Sequence, residues 1–148
     1  ILLHFQDAYR IKGKWRCPGL DINIFEQTLK ENPHINFIGH AVDFWGKIHK
    51  ISGKLMKKYK NLYADLSAGS CLSVLKQKGG IKILEDFQDK LMFGSDCADP
   101  AHRIKSKEPY KICSGEDTIN FIKFFLGKEV QEKIFCENAT KLLKLNKK

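Results

Sequence analysis

Ile35-Asn36-Phe37-Ile38-Gly39-His40 is a short apolar run that stops on an imidazole. It has the length of a buried strand and lacks the alternation of a sheet with one wet face. Three other runs share the form: Ile1-Leu2-Leu3-His4-Phe5, Asn61-Leu62-Tyr63-Ala64-Asp65-Leu66-Ser67 and Lys90-Leu91-Met92-Phe93-Gly94-Ser95-Asp96. They begin at positions 1, 35, 61 and 90, so the intervals are 34, 26 and 29 residues. Each interval holds a strand, a helix and two loops.

Helical patterns fill the gaps. Ile22, Phe25 and Leu29 share one face of a helix that ends before Asn32-Pro33, with Asp21 at its start. Ile48 to Tyr59 has helical character, with Ser52-Gly53 as a point of interruption. Ile81, Leu84 and Phe87 form a third stripe introduced by Gly79-Gly80. Ser114-Gly115-Glu116-Asp117 reads as a helix start, a hydroxyl cap followed by acids, with Ile119, Ile122, Phe125 and Leu126 as the buried face. Glu129 to Phe135 and Ala139 to Leu145 read as two further short helices with a turn near Asn138. Regular βα units imply a parallel sheet, and so an α/β fold over residues 1–148 as one domain. Four units build either a small open sheet or half of a (β/α)₈ barrel. The count does not choose between them.

The residues at the strand ends do. Active sites of α/β folds lie at the carboxyl ends of the strands. Here those ends carry His4, His40, Asp65 with Ser67, and Asp96. A single histidine after an apolar run is ordinarily a core residue or a cap. Three such groups at equivalent positions of successive units are a candidate site: His4, His40 and Asp96 would converge on one mouth. Imidazole and carboxylate suit Zn²⁺, which with an open position lowers the pKa of a bound water to about 7. A carboxylate can take that water's proton, and a second imidazole can polarise the substrate or shuttle a proton. Asp65 either steadies a histidine from behind or caps its own loop. Gly94-Ser95 reads as a tight backbone turn. His34, His49 and His102 read as surface or structural groups.

Composition narrows the class. The chain of 148 residues is 43% hydrophobic and 29% charged, a globular balance. No apolar run nears the roughly 20 residues of a membrane span, and the apolar start gives way at once to polar residues, unlike a secretory leader. The chain starts on Ile1, which leads to the expectation of a fragment or processed product. The net charge of +9 raises nucleic acid as a partner. The arginines are only Arg10, Arg16 and Arg103, however, and the lysines are scattered, so solvated helix faces account for the charge. No nucleic-acid or membrane partner is expected. Cys17, Cys71, Cys97, Cys113 and Cys136 form no C-x-x-C pair, which points to reduced thiols and a cytoplasmic location.

The ordered set resembles the C-terminal half of the amidohydrolase superfamily, in its amidohydrolase 2 branch of TIM-barrel metal-dependent hydrolases. Leu2-Leu3-His4-Phe5 resembles strand five, Asn36 to His40 strand six, Asn61 to Ser70 strand seven, and Phe87 to Asp96 strand eight. Glu137-Asn138-Ala139-Thr140-Lys141-Leu142-Leu143 resembles the closing helix, whose usual form is N-A-x-x-L-L. The resemblance implies a half-barrel of strands five to eight, with His4 and Asp96 as ligands of a divalent metal, most simply Zn²⁺. It gives His40 either a second metal or an acid–base role on a small-molecule substrate; the latter is the reading adopted. Trp45 is a candidate pocket wall, and Phe44 beside it reads as packing. The family's H-x-H pair of strand one does not occur in these residues. A partner is therefore expected: a missing N-terminal half, or self-association. The branch also contains decarboxylases. A non-catalytic half-barrel remnant and a basic nucleic-acid-binding domain are the rival readings from other classes.

Overall fold

A computed structural model describes residues 1–3, 9–11, 14–17, 22–40, 52–67, 72, 75–95 and 115–145. The four apolar runs are strands β1 (Leu2–Leu3), β4 (Phe37–Gly39), β5 (Leu62–Asp65) and β6 (Leu91–Met92), and they form one sheet in the order β1-β4-β5-β6. Every pairing is parallel. Strands β2 (Tyr9–Ile11) and β3 (Lys14–Cys17) pair antiparallel, apart from that sheet. Sequence reasoning missed this hairpin, although Gly13 between two short β-prone runs was a signal for it.

Helices α1 (Ile22–Glu31), α2 (Ser52–Lys58), α3 (Gly80–Asp86) and α4 (Gly115–Phe125) follow. They share one core with the sheet: Phe25 and Leu29 of α1, Leu55 and Met56 of α2, Ile83 and Leu84 of α3 and Ile122 of α4 lie with Phe37, Leu62, Ala64 and Leu91. Burying each such side chain contributes about 1.5–3 kcal/mol. Strand β5 alternates buried and half-buried residues, so Leu62 and Ala64 face the helices while Tyr63 and Asp65 face away. This departs from the expectation of no alternation.

Local expectations were corrected in three places. The second helix is described from Ser52, and the stretch before it, which bears on Ser52-Gly53 as an interruption, lies outside the described residues. Residues 41–51, with Phe44, Trp45 and His49, lie outside the described residues, as do Asp21 and Ser114. In α3 the fully covered side is Ile83 and Leu84, while Ile81 and Phe87 are half-buried. In α4 the covered stripe runs Gly115, Thr118 and Ile122, then on to Leu126, so Phe125 turns outward to stack on Phe121 and Phe124 at 4.7 and 4.8 Å. The two expected terminal helices are one continuous rod: α5 (Lys128–Glu132), a π-helical turn (Lys133–Glu137) and α6 (Asn138–Leu142). Asn138 keeps helical dihedrals (φ −63°, ψ −43°), and its N–H reaches back five residues to the Lys133 carbonyl. The Ile134 carbonyl accepts the Phe93 N–H at 2.8 Å, which ties the rod to the end of β6.

Candidate catalytic site at the strand ends

Register builds the site. Leu3 pairs level with Gly39, and Gly39 with Ala64. His40 directly follows Gly39, and Asp65 directly follows Ala64, so the two side chains leave neighbouring strands at the same height. Both point to the sheet face opposite the helices, two residues on from Ile38 and Tyr63.

There His40 Nδ1 lies 3.1 Å from Asp65 Oδ2 and 3.0 Å from Ser67 Oγ. The other carboxylate oxygen, Oδ1, accepts the Ser67 backbone N–H at 3.2 Å and also the Ser67 hydroxyl. Asp65 thus caps its own loop in an Asx-type turn, as one of the two readings had it, and also contacts the His40 imidazole. Ser67 is almost fully buried, and the His40 and Asp65 side chains are 15% and 14% exposed. A carboxylate facing Nδ1 favours a hydrogen bond donated from that nitrogen, which leaves Nε2 as the ring atom not engaged by Asp65. Ser67 was not foreseen as a site residue. Its position two residues after Asp65, on the same face, was the available signal.

Gly94 closes the third side. A Cβ at this position would lie 3.2 Å from Ser67 Cβ and 3.8 Å from Asp65 Cβ. Its φ is not positive, so close packing, rather than the tight turn expected, explains this glycine. The segment that leads to Asp96 thus passes directly against the end of β5.

His4, Asp96 and Trp45 lie outside the described residues. Among the described residues no three His, Cys, Asp or Glu side chains cluster as a metal shell. Asp65 holds His40 at Nδ1 and so fixes the orientation of the ring, as a carboxylate does for an imidazole that ligates a metal or moves a proton. Among the described residues no helix is long and apolar enough to cross a membrane.

A search of curated proteins finds no match. Among solved structures, a dihydroorotase from Campylobacter jejuni is similar at 18% identity and a TM-score of 0.47. The similarity covers 99% of this chain and 59% of that one, so the chain spans less than two thirds of that protein's length. The family model described as Amidohydrolase (Amidohydro_2) matches residues 45–145, a range that includes Asp65 and Asp96 and starts after His40. With well over half of its length matched, the chain belongs to the amidohydrolase family.

Proposed function

We propose that the chain is the strand-five-to-eight half of a metal-dependent (β/α)₈-barrel hydrolase that cleaves a C–N or C–O bond of a small molecule. The observation that carries this reading is the Asp65–His40 pair, set level on adjacent parallel strands at their carboxyl ends. In the proposal His4 and Asp96 hold a divalent metal, Zn²⁺ because imidazole and carboxylate donors suit it, together with an H-x-H pair supplied from outside these residues. When bound, the metal supplies Lewis acidity and makes water acidic enough to ionise near neutral pH.

The chain's own residues do the rest. Asp96 accepts the proton of the attacking water. His40, held at Nδ1 by Asp65, presents Nε2 toward the mouth, where it acts as a base when neutral and, once protonated, polarises the substrate or passes it a proton. Ser67 and Gly94 keep the carboxylate and its loop from swinging away. Trp45 walls the substrate pocket.

The test joins this chain to a strand-one-to-four half and assays amides, lactones and carboxylic acids, the last to detect decarboxylation. His40→Asn should lower kcat by about 10²–10⁴-fold with bound metal unchanged by elemental analysis. His4→Asn and Asp96→Asn should lose metal and turnover together. Full turnover in Asp96→Asn would sink the assignment, and decarboxylation alone would move the chain to C–C cleavage. No turnover on any substrate, with metal bound, would favour the non-catalytic reading.

A further inference from the structure

On the helix layer, away from the strand ends, α2 and α3 enclose a groove of about 580 Å³. Its walls carry Lys54 and Lys57 from α2 and Lys78 and Lys82 from the start and body of α3, and Ile83 and Phe87 line it as well. All four lysines are exposed, Ile83 is 6% exposed and Phe87 is half-buried. Among the described residues Asp86 is the one carboxylate of the lining, and Lys82 engages it at 2.7 Å. Lys54, Lys57 and Lys78 have no acidic partner among the described residues.

Four ammonium groups line one concavity and Asp86 offsets one of them, which leaves a net positive charge beside an apolar wall. A bound polyanion is the complement of that charge. The size decides what kind of anion: the groove falls within the roughly 300–1,000 Å³ of small-molecule pockets, too small for a duplex or a folded partner. Lysine supplies point charges that suit phosphate or carboxylate without the bidentate fork used for base reading. Ile83 and Phe87 add an apolar surface that a bare inorganic ion would leave uncovered.

We infer that the α2–α3 groove binds a small amphiphilic polyanion, two or more phosphate or carboxylate groups on an apolar or aromatic body, held by Lys54, Lys57, Lys78 and Lys82 against Ile83 and Phe87. Calorimetric titration of the full chain at physiological salt, with ATP and inorganic tripolyphosphate as probes, tests this. ATP should bind saturably, about tenfold more tightly than tripolyphosphate, and more weakly as salt rises. The double variant Lys54→Gln/Lys78→Gln should weaken ATP by at least about tenfold, with an unchanged circular dichroism spectrum. Lys128→Gln/Lys141→Gln, two exposed lysines elsewhere, should leave it unaltered. Absence of saturable binding would overturn the inference, as would equal affinity for both probes or equal effects of the two double variants.

Discussion

Asn61 sits one residue before β5, and its amide nitrogen reaches the carbonyl oxygens of Leu29, Asn32 and Ile35 at 3.1, 2.9 and 3.1 Å. Lys90 holds the same place before β6, and its ammonium donates to the carbonyls of Met56 and Tyr59, the latter at 2.7 Å. Each side chain donates to carbonyls at the end of the preceding helix and in the loop after it, some of which also accept a backbone N–H. Asn138 repeats the device from the C-terminal rod, donating to Gln88 and Leu91 at 2.6 and 2.7 Å. Burial pushes the Lys90 ammonium below its usual range. Because Asn61 is buried, Asn61→Ala would strand several carbonyls, at about 1–3 kcal/mol. Urea unfolding should read that loss, while Asn36→Ala, at an exposed position, should stay within about 0.5 kcal/mol. Nothing in the sequence marked Asn61 or Lys90 as helix caps, because their acceptors lie some thirty residues upstream and come close only once the unit has folded.

Between elements, Glu26 of α1 joins α2 by accepting from Lys58 Nζ at 2.5 Å and Tyr59 Oη at 3.0 Å. These two bonds, Lys58 first, hold its carboxyl below the ordinary value of 4.5. A carboxyl depressed in the folded state stabilises fully above its unfolded pKa and loses that contribution as pH falls through the folded one. Glu26→Gln should therefore lower the urea midpoint at pH 7 and leave it equal to the unaltered protein's at about pH 2. An equal deficit at both pH values would refute the linkage. At the start of α3, Gly79 adopts φ 93°, and a Cβ on Gly80 would meet the Leu75 carbonyl oxygen at 2.1 Å. That atom is backbone and cannot swing aside. Gly80→Ala should cost at least about 1–3 kcal/mol by the same unfolding measurement. The elements themselves were largely legible, since Phe25, Leu29 and Leu84 announced their helices by spacing. The π-helical turn was not, because a single wide turn leaves local propensity untouched and shows only in which carbonyl meets Phe93.

At the scale of the molecule, β1 is an outer strand of the sheet among the described residues. Ile1 and Leu2 there are 61% and 59% exposed. Apolar side chains beside an unpaired strand edge template association. Self-association of the chain by itself should be visible in light scattering and should fall in Leu2→Lys; a monodisperse monomer before the change would contradict this. The strand-end site was half legible. His40 announced itself by ending its run, and Asp65 by standing level with it. Ser67 had no separate signature, since a serine after a strand is common and its partners are fixed by register. His4 and Asp96 rest on the pattern of the sequence alone.

The order β1-β4-β5-β6 has one more consequence. Within this sheet each strand pairs with the sheet strand synthesised just before it. The Asp65–His40–Ser67 cluster is carried wholly by residues 37–67, so the chain can lay down its chemistry in the order of translation. A nascent chain halted after Ser67 already contains every group of that cluster, before β6 and the C-terminal rod emerge to lock it in place.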